Sequence, residues 1–221
     1  MNTSNLVVDS LSLAYTNSLG ETLQVVTDLS FRVEPGQLCV LSGRSGSGKT
    51  SVIRALVGLL AWTAGSIKWG GIDLATLSET ERADQRRKLT GYVDQEASLI
   101  PELSIVDNLL LPHLPDGRKA VLAAKQDAVD LLKKLGLDQR ASWTSAKLSG
   151  GERSRAALVR GLAAKTGVIV TDEPTASVDR KWADKVIELL LAHAHDDGGM
   201  VIAASHDPGL AAVADVLVTL D

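Results

Sequence analysis

Apolar residues recur at two periods along this chain, and the change of period marks its parts. Over residues 6–33 they alternate, as in Leu11/Leu13/Tyr15 and Leu29/Phe31/Val33, with Asn17-Ser18-Leu19-Gly20 as a turn between two strands. Pro35-Gly36 then turns the chain into Leu38-Cys39-Val40-Leu41, an apolar run long enough for a buried strand. After Thr50 the period becomes helical, with Val52, Ile53, Leu56, Leu59 and Leu60 on one face. Further short strands are predicted at 66–69 and 90–93. Between them Ser78-Glu79-Thr80-Glu81 is a capping box that opens a short charged helix.

From about residue 95 to 164 the strand signals fade. The pattern predicts a short helix over 104–111 stopped by Pro112, a longer one over 116–135 closed by Gly136, and a third over 150–164. Strand and helix then alternate again: Val168-Ile169-Val170-Thr171, a helix over about 179–194, and strands at 200–204 and 216–220. This order predicts an α/β fold with a mainly parallel sheet, an N-terminal antiparallel β region and an inserted α-helical lobe. The expected organisation is one domain over 1–221, with 1–94 and 165–221 as the core and 95–164 as the lobe. In such a sheet ligands bind at the carboxyl ends of the strands.

Composition narrows the class only modestly. A net charge of −4 argues against a general nucleic-acid binder. The single cysteine, Cys39, forbids an intramolecular disulfide and sits in a predicted core strand. No stretch reaches the roughly 20 apolar residues of a membrane span. The longest uncharged run, 55–67, is broken by Gly58, Thr63, Gly65 and Ser66. Met1-Asn2-Thr3-Ser4-Asn5 lacks the basic and apolar regions of a secretory signal. The expectation is a soluble, cytoplasmic polypeptide that needs another chain for any work in a membrane.

The chemistry begins at Gly43-Arg44-Ser45-Gly46-Ser47-Gly48-Lys49-Thr50, a phosphate-cradling loop between a strand and a helix. Its glycines let backbone N–H groups curl around phosphate oxygens, Lys49 reaches the terminal phosphates, and Thr50 is placed for Mg²⁺. Downstream, the strand 168–171 ends in Asp172-Glu173. Asp172 is expected to hold a Mg²⁺-bound water. Glu173 is expected to orient or deprotonate the attacking water, a general-base role worth typically ~10²–10⁴ in rate. His206, after the apolar run Val201-Ile202-Ala203-Ala204, is placed to bond the γ-phosphate. His113, His193 and His195 read as structural, the last two being two apart on a helix and so on different faces.

With Leu148-Ser149-Gly150-Gly151-Glu152 added, the chain resembles the ATP-binding cassette family over essentially its whole length. Ser149 and Glu152 have capping-box spacing, and Gly150 and Gly151 leave the backbone open at a helix N-terminus, a second anion site. In the family this segment faces the ATP held by an opposite subunit. The resemblance therefore implies a head-to-tail homodimer enclosing two ATP molecules with Mg²⁺. It implies that Tyr15 stacks on adenine and that Ser51 joins the loop residues 43–50 in binding nucleotide. It further implies that Gln95 touches Mg²⁺ and the attacking water, and that Asp179, in Ser177-Val178-Asp179, crosses to the other subunit. Asp94, before Gln95, and Arg153-Ser154, after the signature segment, depart from the commoner pattern.

Within the family, Gly91-Tyr92-Val93-Asp94-Gln95 and the stretch Ile100-Pro101-Glu102-Leu103-Ser104-Ile105-Val106-Asp107-Asn108-Leu109 resemble the subgroup of lipoprotein release, macrolide and peptide export, heme export and cell division. The implied partner is an integral membrane permease subunit that itself meets the transported molecule. With the last core strand predicted at 216–220 and the sequence ending at Asp221, no C-terminal regulatory domain is expected. A non-transport cassette ATPase, transmitting force in cell division or serving iron–sulfur assembly, is the competing expectation.

Overall fold

The computed structural model describes residues 5–16 and 20–220. The N-terminal region is a four-stranded antiparallel sheet made from β1 (Leu6–Thr16), β2 (Thr22–Val33), and, after the elements below, β4 (Ala64–Trp69) and β5 (Ile72–Asp73). Its order is β2-β1-β4-β5. β1 and β2 pair from Leu6↔Val33 to Thr16↔Thr22, with bulges that take up Ser10 and Asp28 at positive φ. Of the turn expected between them, 17–19 lie outside the described residues.

The chain next forms β3 (Leu38–Gly43) and α1 (Lys49–Leu56), then α2 (Glu79–Leu89), β6 (Thr90–Val93), α3 (Ile105–Leu110), α4 (Arg118–Lys134) and α5 (Gly150–Ala163). It closes with β7 (Val168–Asp172), α6 (Arg180–Leu191), β8 (Met200–Ala204), α7 (Pro208–Ala212) and β9 (Val216–Leu220). The second sheet is wholly parallel, in the order β6-β7-β8-β3-β9. The α/β fold with an antiparallel sheet, a parallel sheet and a helical region is thus the one the pattern predicts.

Several boundaries differ from the periodicity for local reasons. α1 stops at Leu56, short of Leu59 and Leu60, because Gly58 takes φ +69° and the N–H groups of residues 58–60 fold back on the last carbonyls of the helix. Pro112 does not end the helical path after α3. Lacking an N–H, it fits the first turn of a 3₁₀ segment, Leu111–Asp116, so the chain changes helix type there. Gly117, at φ +86°, delays the start of α4 to Arg118, and Gly136, at φ +68°, ends it as expected. α6 runs into a π turn, Ala192–Asp196. α7 had no periodic signal: Asp207 caps it and Pro208 opens it, and only five residues follow the helix path.

Alternation along the buried strands splits the core in two. Leu38, Val40, Ile169, Val201 and Ala203 face one side of the parallel sheet and pack with the helices of the lobe and α6. Cys39, Leu41, Val168, Val170 and Ile202 face the other side, against α1 and the inner face of the antiparallel sheet, including Leu6, Leu11 and Leu13. Burial of Cys39 pushes its thiol pKa up to about 12. Among the described residues no helix is long and apolar enough to cross a membrane.

The backbones of α5 and β6 approach closely at Gly161 and Gly91. A Cβ on Gly91 of β6 would run into the carbonyl oxygen of Gly161 on α5, and a Cβ on Gly161 would come within 2.8 Å of Val93 Cγ2. Backbone meets backbone there. Gly91→Ala should therefore overpack the contact and destabilise the fold by about 1–3 kcal/mol. Thermal unfolding should show the melting temperature several degrees lower, and an unchanged midpoint would refute the contact.

Candidate active site

The carboxyl ends of β3, β7 and β8 lie side by side and carry the chemistry. β3 ends at Gly43, paired to Leu220 of β9, where a Cβ would strike the Leu220 carbonyl oxygen. The loop then passes Gly46 at φ +84° to Gly48, which caps α1 at φ +91° with no side-chain cap. A Cβ on Gly48 would lie 2.8 Å from side-chain atoms of both Val25 and Val26. The first turn of α1 has no acidic residue, so its free N–H groups face an electropositive loop. Lys49, buried in that loop, donates from Nζ to the carbonyls of Gly43 (2.7 Å) and Arg44 (2.9 Å).

Asp172 closes β7 and is 2% exposed. The Thr50 hydroxyl lies near it, but neither carboxylate oxygen has a partner in hydrogen-bond geometry. Burial raises its pKa, the Glu173 and Asp94 charges push the same way, and the Thr50 hydroxyl and Lys49 ammonium oppose them. Buried carboxylate oxygens without partners are costly. A hard divalent cation that takes oxygen ligands would satisfy them, so Mg²⁺ fits Asp172 together with the Thr50 hydroxyl.

Glu173 takes φ +53°, a conformation that costs a non-glycine residue of order 1–3 kcal/mol, and donates its N–H to the Ala204 carbonyl at 2.8 Å. The backbone kink turns its side chain out of the strand line. Glu173 Oε2 lies 2.9 Å from His206 Nδ1, just beyond the end of β8, although it has no partner in hydrogen-bond geometry. The neighbouring Ser205 fixes the loop: its N–H reaches the Leu41 carbonyl, and its Oγ accepts from the Asp207 N–H at 3.0 Å.

The phosphate loop, Glu173 and His206 line one cleft of about 550 Å³, and the buried Asp172 does not reach its surface. The cleft wall is the phosphate loop, residues 43–46 and 48–51, with Gln95, Glu173 and His206, whereas Ser47, expected there, lines a separate cavity between β2 and β9. At its mouth Tyr15 is 44% exposed, and its hydroxyl lies 3.0 Å from Ser51 Oγ. Leu23, Val25 and Ala176 also line it, and the sequence reading missed all three. Leu23 and Val25 share a face of β2 with period two, a signal that was available. Ala176 had none.

Ser149, Gly150, Gly151, Glu152 and Asp179 are not in this cleft. Ser149 and Glu152 form a complete capping box on α5, with the Ser149 N–H donating to Glu152 Oε2 at 2.9 Å. That backbone bond, the Ser149 hydroxyl and Arg140, 3.0 Å away, hold the Glu152 carboxyl below the usual carboxylate range. A Cβ on Gly150 would meet only open space, whereas one on Gly151 would lie 2.6 Å from the Ser177 carbonyl oxygen. Asp179 caps α6 through the Trp182 N–H at 3.2 Å. The signature segment and the loop before α6 thus form a second cluster of their own. His113 is buried with Nε2 2.8 Å from the Ala163 carbonyl oxygen, and His195 pairs with Asp215 at 2.8 Å. Burial lowers the pKa of His193. Among the described residues no group of three or more His, Cys, Asp and Glu side chains could hold a metal ion by itself.

A family model described as ABC transporter matches residues 26–176. The lipoprotein-releasing system ATP-binding protein LolD 1 of Rhodospirillum rubrum is 38% identical over 203 residues, 90% of this chain and 88% of that protein. The macrolide export ATP-binding/permease protein MacB of Chlorobium phaeobacteroides is 34% identical over 211 residues, 95% of this chain and 32% of that protein. Among solved structures, the ATP-binding cassette MJ0796, a dimer in a post-hydrolysis state bound to ADP and Pi, superposes with a TM-score of 0.90 at 25% identity, covering 98% of this chain and 94% of that one.

Lys49→Ala removes the only cation buried in the loop's own wall. A charge-assisted hydrogen bond is worth ~1.5–3 kcal/mol, so ATP binding should weaken about 10–100-fold. Titration with a fluorescent ATP analogue checks this, and wild-type affinity would refute the assignment of the loop.

Proposed function

Because the chain belongs to the ABC transporter family and is an ATP-binding, ATP-hydrolysing cassette, we propose that residues 1–221 act as one nucleotide-binding domain driving a separate membrane subunit. Two copies close head to tail on two ATP molecules. The observation that carries this reading is the separation of the two clusters. The cleft gathers the phosphate loop, Gln95, Glu173 and His206, while Ser149 to Glu152 lie apart on the same chain with an open helix N-terminus. A nucleotide touched by both clusters would then lie between two chains.

In this reading the loop N–H groups from Gly43 to Ser51 and the Lys49 ammonium hold the β- and γ-phosphates, and Tyr15 stacks on adenine. Asp172, Thr50 and Gln95 hold Mg²⁺. When bound, Mg²⁺ neutralises charge on the phosphate oxygens. Glu173 accepts the proton of the attacking water. Its kinked backbone and the nearby His206 Nδ1 support that placement. His206 bonds the γ-phosphate. Ser149, Gly150, Gly151 and Glu152 of the second copy close over the same phosphate, and Asp179 crosses the interface beside them.

The membrane partner docks over the region of Gln95 and α3. Ile100, before α3, and Leu114, after it, are exposed apolar residues that support such a contact. The transported molecule meets the partner, not this chain, and the partner places this chain at the cytoplasmic face of the membrane. Nucleic acid has no role. The similarity to proteins named for lipoprotein release and macrolide export supports an exporter of a small hydrophobic or amphipathic molecule such as heme, drug, peptide or lipoprotein.

Glu173→Gln keeps the shape of the side chain and removes the base. Turnover should fall at least about 10²-fold while ATP still binds. Size-exclusion chromatography with light scattering should then show a dimer in ATP–Mg²⁺ and a monomer without it. A monomer under both conditions, even with the partner added, would overturn the sandwich. The same variant, pulled from detergent-solubilised native membranes with ATP–Mg²⁺, should bring a multi-span membrane protein. Soluble partners alone would exclude the transporter reading.

A further inference from the structure

The turn that carries Gln95 is tied at both ends by groups with no assigned role. Asp94 follows β6, and the in-register pairing of Val93 with Thr171 sets it beside Asp172 at the end of β7. Its carbonyl accepts the Ala97 N–H at 3.1 Å, and its carboxylate Oδ1 accepts the Ser98 N–H at 3.0 Å. Ala97 takes φ +52°, so the turn is one an L-residue adopts only when its surroundings hold it. On the far side, Arg160 Nη1 of α5 donates to the Ser98 carbonyl. The Asp94 carboxylate also favours the charged form of this guanidinium, against the effect of its burial.

We infer that Asp94 is a positioning residue for ATP hydrolysis: its carboxylate latches the 94–98 turn so that Gln95 points into the cleft, and Arg160 anchors the latched turn to α5. The carboxylate is spent on the backbone N–H four residues on, a closure that an apolar side chain at 94 could not make. Without it the strained Ala97 turn loses the bond that closes over it, and Gln95 loses its fixed approach. Arg160 lies near the end of the helix that Ser149 opens, so the latch joins the glutamine turn to the signature helix through one backbone carbonyl.

This inference rests on the proposed role of Gln95, and the variants are chosen to separate the two. Steady-state ATPase rates would be measured for Asp94→Ala, Asp94→Leu, Asp94→Asn and Gln95→Ala, and for Asp94→Ala combined with Gln95→Ala. Loss of the latch should lower kcat about tenfold in both Asp94→Ala and Asp94→Leu, because misplacement of a reacting group costs rate steeply. KM for ATP should stay within about twofold, since the phosphate loop is untouched. Asp94→Asn keeps an oxygen acceptor for the Ser98 N–H and should recover most of the rate. It also serves where the alanine form folds poorly. In the Gln95→Ala background, Asp94→Ala should cost nothing further.

Wild-type turnover in both Asp94→Ala and Asp94→Leu beside an impaired Gln95→Ala would overturn the latch alone. Asp94→Asn as slow as Asp94→Ala would assign the effect to charge and likewise overturn it, as would additive losses in the double variant. Wild-type turnover in Gln95→Ala would remove the role of Gln95 and the inference with it.

Discussion

Three buried strands, β7, β8 and β3, run parallel and side by side, and the site exists because their carboxyl ends fall on one edge. The strands are apolar on both faces, so neither face can turn to water and the sheet has to be covered twice. α1 and the antiparallel sheet cover one face, and the lobe with α6 covers the other. Parallel neighbours require every chain return to cross a face, which leaves the strand ends free for loops. Glycine-rich backbone from β3, two carboxylates from β7 and a histidine from β8 therefore meet without any of them being near another in sequence.

That convergence has local costs. Asp172 is buried with unpartnered oxygens, Glu173 and Ala97 take left-handed backbone, and the phosphate loop excludes side chains at Gly43 and Gly48. Each is unfavourable taken singly. The surrounding core makes them tolerable: β7, which ends in Asp172, is buried throughout, and Glu173 sits one step past its hydrogen-bonded ladder. The parallel sheet itself is regular, while left-handed backbone also occurs away from the site, at Ser10 and Asp28 in the bulges between β1 and β2 and at Lys165.

Much of this was legible in the sequence, and the limits of legibility have physical causes. The phosphate loop, both capping boxes and the alternating strands are written in local chemistry, so they could be read without knowing the fold. The end of α1 could not, because Leu59 and Leu60 keep the helical period after Gly58 has already turned the chain. The two-residue β5 and the five-residue α7 are too short to carry a period. Asp94 stood out only as an unusual residue. Its contact with Ser98 depends on a turn geometry that no spacing reports. The lining by Leu23 and Val25 needed the antiparallel sheet to be folded over the loop before it could be seen, although their spacing put both on one face.

Cys39 lies at zero exposure near the start of β3, and its thiol pKa is pushed up to about 12. At neutral pH the folded chain thus offers thiol reagents almost no thiolate to react with. A cysteine placed on the outer face of α5, and another beside the phosphate loop, would be the sole acceptors for a spin or fluorescent label. The natural cysteine would not have to be removed. The core packing that fixes the sheet also leaves the surface chemically silent, so distances across the assembled cassette could be followed through a cycle in an otherwise unaltered protein.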